Sequence, residues 1–165
     1  MKEITIYGDN RHEKATKSRI ACRGILIRDG KLLLVHEEKI DHWMIPGGGL
    51  EAGESLEECC IREMQEETGT VVLPKQHYLT LHEYYGPWCF TSHYFLCDSQ
   101  GTAQQHLTEQ EAETGLKPKW IRWEDALELF SVYQKWNPAE EMRRGSYLRE
   151  YTALKAFGEM FPGAQ

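Results

Sequence analysis

The stretch PGGGLEAGESLEECCIREMQEETG, residues 46–69, joins three consecutive glycines to a short segment crowded with glutamates. Ser55 and Glu58 form an S-x-x-E capping box, which predicts the start of a helix. Gly69 can supply the left-handed residue that ends this helix. Because like charges one turn apart destabilise a helix, so many glutamates here indicate either a solvated face or a bound cation.

Helical geometry places two of these glutamates beside the protein core. At about 100° per residue, an apolar face that includes Leu56 and Met64 is predicted to lie on a sheet. Glu63 and Glu67 are four residues apart and fall at the border of that face, and Glu66 lies on the flank. Carboxylates at such a border repel one another, and desolvation increases the repulsion. A divalent cation with oxygen ligands, Mg²⁺ or Mn²⁺, would convert it into coordination.

The glycines that precede the helix predict a loop whose backbone can approach a ligand closely. Gly47, Gly48 and Gly49 are therefore candidates for contacts to a phosphate, since glycine tolerates unusual backbone angles and carries no side chain. The following helix begins with free N–H groups, which attract anions. Arg23, on an earlier predicted strand, could also reach a phosphate.

The rest of the chain predicts an α/β (α+β) fold in which helices pack on a mixed sheet. Asp29-Gly30 predicts a hairpin, and polar residues 99–115 predict a long loop. A tail over about 137–160 is expected to form one or two helices, interrupted near Gly145. Strands are expected at about 3–8, around the 29–30 turn, up to Pro46, at 70–85, at 88–98 as a central strand, and at 117–123, with a helix at 124–130.

Length and charge limit the classes of function. The 165 residues predict a single domain, 1–165, and the net charge of -7 argues against binding nucleic acid. There is no apolar run of signal-peptide or membrane-spanning length, so a cytoplasmic protein without membrane contact is expected. A homodimer stays an open alternative. The odd set of cysteines contains no C-x-x-C pair, which predicts reduced, mostly buried thiols: Cys22, Cys59, Cys60, Cys89 and Cys97.

The glutamate segment resembles the signature of the Nudix hydrolases. The pattern is G-x5-E-x7-R-E-x-x-E-E-x-G, formed by Gly48, Glu54, Arg62, Glu63, Glu66, Glu67 and Gly69. The resemblance covers about residues 18–130, with a core expected there. Thr70 stands where the family usually has a bulky aliphatic residue, which bears on how the helix end packs.

This resemblance implies an α/β/α sandwich with a mixed sheet, and a MutT-like, metal-dependent pyrophosphohydrolase (pyrophosphatase). The substrate implied is a small nucleoside diphosphate linked to another moiety. Glu63, Glu66 and Glu67 would bind Mg²⁺ or Mn²⁺, whereas Glu54 and Arg62 would hold the loop to the helix.

The general base is not settled by the sequence. A box glutamate, Glu66 before Glu63, is one candidate. The other is a carboxylate of the polar loop, Glu109, Glu111 or Glu113, because loops often carry such groups. A solvated acidic loop is the alternative interpretation.

Aromatic residues could include a stacking platform for a base, although core packing is the commoner role. The candidates are Trp43, Tyr84, Tyr85, Trp88 and Phe90. Two other functions were weighed for the chain as a whole. A non-catalytic, ligand-sensing Nudix domain usually has a degraded box, and an isoprenoid diphosphate isomerase needs a cysteine in a different setting from Cys59 and Cys60.

Overall fold

Two β-sheets carry the helices of this protein, and a computed structural model describes residues 1–164. The strands are β1 (Lys2–Tyr7), β2 (Lys17–Ile25), β3 (Ile27–Arg28), β4 (Lys31–Glu37), β5 (His42–Met44), β6 (Gly47–Gly49), β7 (Thr70–Tyr85), β8 (Trp88–Thr102) and β9 (Leu116–Arg122). The α-helices are α1 (Leu56–Thr68), α2 (Glu109–Thr114), α3 (Trp123–Ser131) and α4 (Ser146–Met160). A 3₁₀ turn (Val132–Lys135) and a π-helical turn (Glu141–Gly145) connect α3 to α4.

The larger sheet is mixed, as predicted. Its strand order is β1-β7-β8-β2-β6, with β1 parallel to β7 and β2 parallel to β8. The other neighbours, β7 with β8 and β2 with β6, are antiparallel. In the smaller sheet, β4 pairs antiparallel with β9 along its length and with β3 and β5 near its two ends. The long strand β8 is central, which confirms the expectation from its apolar sequence.

The hairpin at Asp29-Gly30 is confirmed. Both residues have positive φ, 50° and 70°, which is the geometry of the tight turns that match strand twist. The apolar segment before the turn divides into two strands, which the sequence does not predict. Strand β2 ends at Ile25 in the larger sheet, and β3 starts the smaller sheet after Leu26. This change of sheet lets one continuous apolar run contribute to both sheets.

Helix α1 has the boundaries that its capping residues predict. Ser55 Oγ accepts from the Glu58 backbone N–H at 3.2 Å, and the Ser55 N–H donates to Glu58 Oε2 at 2.8 Å. Gly69 has φ 69° and donates its N–H to the Gln65 carbonyl at 2.8 Å. Thr70 begins β7 directly after this cap, so the departure from the family pattern does not disturb the end of the helix.

The prediction of a loop at the three consecutive glycines is wrong, because Gly47–Gly49 form strand β6. Gly47 and Gly49 pair with Arg23 and Ala21 of β2, and Gly48 pairs with Cys22. Glycine is a poor strand former by itself, so tertiary pairing with β2 determines this conformation.

The predicted long loop at 99–115 is also wrong. Strand β8 continues to Thr102, and α2 follows with its own capping box. Thr108 Oγ1 accepts from the Glu111 N–H at 3.3 Å, and Gly115 closes the helix with φ 72°. The helix has no fully buried residue, which explains why hydrophobic periodicity did not reveal it.

The core consists of two apolar clusters on opposite faces of the sheets. On β4, Leu32 and Leu34 belong to the cluster under α3 and α4, whereas Leu33 belongs to the cluster under α1. Alternate residues of a strand point to opposite faces, so both faces are covered by helices. The α/β/α sandwich implied by the resemblance is therefore confirmed.

The cysteines and the tail agree with expectation. All five cysteines are free thiols, four of them buried. The tail helix α4 starts immediately after Gly145, at the predicted interruption. No helix within residues 1–164 has the length and apolar character needed to cross a membrane.

Candidate active site

A cleft of about 500 Å³ lies beside the C-terminal half of the glutamate helix, along β6 and β2. Its lining includes Glu63, Glu66 and Glu67 from α1, Arg23 from β2 and Glu111 from α2. Side chains that the sequence analysis proposed from three distant segments are thus brought to one cavity.

Close contact between α1 and β6 buries two of the glutamates. Glu63 is 8% exposed and Glu67 is 5% exposed. A Cβ placed on Gly48 would lie 2.5 Å from Glu63 Oε2, so only glycine lets the Glu63 carboxylate rest against this strand. The Gly47 N–H donates to Glu67 Oε2 at 2.8 Å. The helical geometry therefore predicted correctly that Glu63 and Glu67 border the core.

Arg62 ties this part of the site together. Its Nε and Nη2 donate to the two carboxylate oxygens of Glu54 at 2.7 and 2.9 Å, and Nη2 also donates to the Gly49 carbonyl at 2.9 Å. Its Nη1 donates to Glu63 at 2.7 Å and to Glu66 at 3.1 Å. Hydrogen bonds from Arg62 lower the pKa of Glu54 to about 2. The contact by which Glu54 and Arg62 would hold the loop to the helix is present.

The acids of the cleft are not neutralised by the protein. Burial raises the pKa of Glu63 and raises that of Glu67 well above its usual value, because desolvation disfavours the charged form. Arg62 also pairs with Glu54, so it cannot balance Glu63, Glu66 and Glu67 together. An all-oxygen donor set with excess negative charge fits Mg²⁺ or Mn²⁺.

The three glutamates do not converge on one point. Within residues 1–164, no group of three or more His, Cys, Asp or Glu side chains is arranged to hold a metal ion. Their contacts account for this, since Arg62 holds Glu63 and Glu66 while Glu67 turns to the Gly47 N–H. The metal-binding role of these residues thus stays a prediction.

Helix α2 distinguishes among the acids of the predicted loop. Glu111 is half-buried and lines the cleft, whereas Glu109 and Glu113 are exposed. Repulsion from Glu111 contributes to the raised pKa of both Glu63 and Glu67, which puts Glu111 within electrostatic reach of them. One oxygen of Glu111 accepts from the Thr108 N–H at 2.8 Å.

Most of the aromatic candidates have partners outside the cleft. Trp43 stacks on His36 with ring centroids 3.9 Å apart, and Tyr84 stacks on Tyr7 at 5.4 Å. Phe90 lines the cleft beside Arg19. Phe90 itself stacks on Trp88 with ring centroids 5.4 Å apart, so a base-stacking role at this position stays a prediction.

The sequence analysis missed His42, which also lines the cleft. His42 Nδ1 lies 3.0 Å from Glu37 Oε2, and Nε2 lies 2.9 Å from Ser146 Oγ. Burial lowers the pKa of His42, which favours the neutral ring, and the Ser146 hydroxyl also donates to the Met142 carbonyl. This chain of hydrogen bonds joins α4 to the smaller sheet. No local sequence signal could reveal it, because Ser146 lies 104 residues after His42.

Four charged side chains form a buried cluster next to the cleft, and two of them, Arg23 and Arg149, line it. Arg149 and Glu150 come from α4, Arg23 from β2 and Glu83 from β7. Glu83 is 1% exposed and Glu150 is fully buried. Burial raises the pKa of Glu83 to about 7. Sequence reasoning singled out Arg23 of this set and missed its three partners.

A comparison with protein families establishes the class to which this protein belongs. The family model described as the NUDIX domain matches residues 18–143. The chain therefore belongs to the Nudix hydrolase family, whose members are typically pyrophosphohydrolases and usually need a divalent metal. The match extends beyond residue 130, where the sequence analysis placed its end, and stops before α4.

Curated relatives match over part of their length. Phosphatase NudJ of Escherichia coli strain K12 is 41% identical over 71 residues, which are 41% of this chain and 44% of NudJ. The uncharacterized Nudix hydrolase YvcI of Bacillus subtilis strain 168 is 40% identical over 52 residues, 32% of this chain and 33% of YvcI. The chain thus spans less than half the length of these relatives.

Solved structures share the fold over nearly the whole chain. The E. coli ORF135 protein has a TM-score of 0.56 and 23% identity, covering 89% of this chain and 95% of its own. An ADP-ribose pyrophosphatase from Streptococcus suis has a TM-score of 0.53 and 16% identity, covering 89% and 96%. At these identities the likeness shows the fold alone.

The raised pKa of Glu83 predicts how stability depends on pH. Glu83 faces Arg149 and Glu150 from α4, Arg23 from β2 and Glu141 from the π-helical turn. The pKa of Glu83 is about 7 in the folded state and has a usual value of 4.5. Its contribution to the free energy of unfolding is therefore complete below pH 4.5 and is lost as pH rises through about 7. Glu83→Gln does not undergo this loss. Its free energy of unfolding should therefore rise by on the order of 3 kcal/mol relative to that of wild type across this pH range.

Urea denaturation of both proteins at several pH values measures this difference. Glu128→Gln, at an exposed position of α3, is the matched control, for which the difference from wild type should stay constant. A constant difference for Glu83→Gln as well would show that Glu83 does not titrate abnormally.

Proposed function

We propose that this protein is a metal-dependent pyrophosphohydrolase that cleaves a nucleoside diphosphate linked to another moiety. The observation that carries the proposal is the cleft itself, in which Glu63, Glu66 and Glu67 lie together with Glu111 and with Arg23. One cavity thus contains three acids that we propose to bind a metal cation, one acid that we propose to accept a proton, and one arginine that we propose to bind a phosphate.

The roles follow from position and burial. Glu63, Glu66 and Glu67 hold Mg²⁺ or Mn²⁺, which when bound neutralises the diphosphate oxygens and favours attack at phosphorus. Arg23 donates to the phosphate chain from the floor of the cleft. The backbones of Gly48 and Gly49 border the same space, whereas the Gly47 N–H is already used by Glu67. Orientation of substrate and water by these fixed groups supplies much of the rate.

Glu111 is the proposed general base. A carboxylate that coordinates a cation loses basicity, so a base outside the metal set suits the removal of a proton from the attacking water. Glu111 meets this condition because it stands on α2, a different element from the helix that carries Glu63, Glu66 and Glu67, and lines the same cleft. Glu66, whose side chain is 36% exposed, is the alternative base within the box.

A non-catalytic, ligand-sensing domain is the competing function. The complete set of box acids in one cleft supports hydrolysis over sensing. Hydrolysis of nucleoside triphosphates, nucleotide sugars, ADP-ribose and dinucleoside polyphosphates with Mg²⁺ or Mn²⁺, with products identified by mass, separates the two functions. Release of no product from any compound would favour the sensing domain.

Glu67→Gln should remove nearly all hydrolysis of the substrate found in this way. The change deletes the charge of a metal ligand, yet the amide oxygen can still accept from the Gly47 N–H. Circular dichroism should therefore show an unchanged fold while turnover is lost. Glu57→Gln, at an exposed position of the same helix, is the control with normal turnover. Full activity of Glu67→Gln would contradict its assignment as a metal ligand.

Glu111→Gln should lower kcat by about 100-fold or more, in the range for loss of a general base. Glutamine preserves the capping box of α2, so the helix should stay in place. Glu109→Gln and Glu113→Gln, both at exposed positions of α2, are matched controls with near-normal kcat. Near-normal kcat for all three variants would transfer the role of base to Glu66.

A further inference from the structure

The buried cluster of Arg23, Glu83, Arg149 and Glu150 is a salt-bridge network at the wall of the cleft. Arg149 Nη2 lies 2.9 Å from Glu150 Oε1, and Arg149 Nη1 lies 3.6 Å from Glu83 Oε2. Arg23 Nη1 lies 3.8 Å from Glu150 Oε1. The four formal charges cancel, as buried charges must to be tolerated.

The hydrogen bonds of this network are unevenly distributed. Both oxygens of Glu150 are bonded, one to Arg149 and the other to the Tyr94 hydroxyl at 3.0 Å. Within residues 1–164, Arg23 Nε and Glu83 Oε2 are buried atoms without a hydrogen-bond partner. Leaving such an atom unpaired costs about 1–3 kcal/mol. These residues therefore provide no hydrogen-bond acceptor for the Nε–H group of Arg23, a residue that is 8% exposed.

The network presents its positive side to the cleft. Arg23 and Arg149 line the cavity, and Glu83 and Glu150 are not part of its lining. The acids thus stand behind the two guanidinium groups. Arg23 is also linked to the box, because its Nη1 contacts the Gly47 carbonyl at 3.5 Å while the Gly47 N–H binds Glu67.

Both guanidinium groups approach the same oxygen of Glu150, at 3.8 Å for Arg23 and 2.9 Å for Arg149, and such a pair of arginines suits a doubly charged tetrahedral anion. Arginine donors match phosphate oxygens in a fixed geometry. Arg149 belongs to α4, which lies beyond the NUDIX match at residues 18–143. The tail helix therefore adds a cation to the cleft that the family pattern does not include.

We propose that Arg23 and Arg149 form an anion subsite that binds a phosphoryl group of the substrate, with Glu83 as the counter-charge that limits its affinity. This deepens the proposed function, since it takes the cleft to be where the substrate binds. Glu83 and Glu150 position the guanidinium groups and do not touch the ligand.

Binding of inorganic pyrophosphate to the full chain tests this subsite directly. Isothermal titration calorimetry at low salt and at about pH 8, where Glu83 with its pKa of about 7 is ionised, is performed with EDTA present to exclude any contribution from a divalent cation. Wild type should bind. Glu83→Gln removes the negative charge behind the arginines, so it should bind pyrophosphate about fivefold more tightly or better.

The double variant E83Q/R149Q keeps the cluster neutral and removes Arg149. It should bind at least about tenfold more weakly than Glu83→Gln, and more weakly than wild type, as expected for loss of a charge-assisted hydrogen bond. The pair R122Q/D125N is the matched control, because it deletes an arginine–acid pair at the exposed start of α3. Its affinity should equal that of wild type.

Tighter binding by Glu83→Gln cannot arise from a damaged fold, so it separates a ligand-binding role of the network from a purely structural one. The inference is overturned if wild type does not bind pyrophosphate, or if Glu83→Gln and the double variant both bind as wild type does. A chain that binds pyrophosphate through Arg149 yet hydrolyses nothing supports the subsite and refutes the proposed hydrolysis. A protein that hydrolyses a substrate, but whose affinity for pyrophosphate is the same in wild type and in these variants, supports the proposed hydrolysis and refutes the subsite.

Discussion

The burial of Glu63 and Glu67 against strand β6 is the constraint on which the site depends. A Cβ on Gly48 would lie only 2.5 Å from Glu63 Oε2, so only glycine lets this carboxylate come so close to the strand, and Glu67 accepts from the Gly47 N–H. Two like charges in a poorly solvated space repel. Since Arg62 is shared with Glu54, the protein leaves this repulsion partly unrelieved, and a divalent cation is the partner that we propose to relieve it.

A second wall of the cleft carries charged side chains that the protein itself balances. There, Arg23 and Arg149 are balanced by Glu83 and Glu150, so the cluster is stable without a ligand. One wall of the cleft thus carries acids without a matching protein cation, and another carries two arginines that buried acids balance. A diphosphate with its bound cation is complementary to both walls, which explains why a chain with a net charge of -7 can be proposed to bind an anionic substrate.

Elements set by local sequence were predictable, and elements set by distant contacts were not. The caps Ser55 and Gly69 define α1 through their own hydrogen bonds, and the Asp29-Gly30 turn defines its hairpin. Helix α2 carries the same signal at Thr108 and Glu111, but its polar composition hid it because nothing in it is fully buried. Strand β6 depends on pairing with β2, which glycine propensity opposes.

The candidate site divides along the same line. The box acids and Arg62 stand on one helix, so spacing alone placed them together and correctly predicted that Glu63 and Glu67 border the core. Arg149 and His42 reach the cleft only because α4 packs across β5 and β7. Their partners are far away in the sequence, so no pattern within one segment could identify them. The roles proposed for these residues stay predictions until they are measured.

The central claim is that the buried carboxylates of α1 exist to hold a divalent cation. A crystal of the protein soaked in Mn²⁺ and measured at the manganese absorption edge tests it most directly. The account predicts an anomalous peak about 2 Å from carboxylate oxygens of Glu63, Glu66 and Glu67. A peak bound only elsewhere, or none at saturating Mn²⁺ with Glu67 still on the Gly47 N–H, would contradict it.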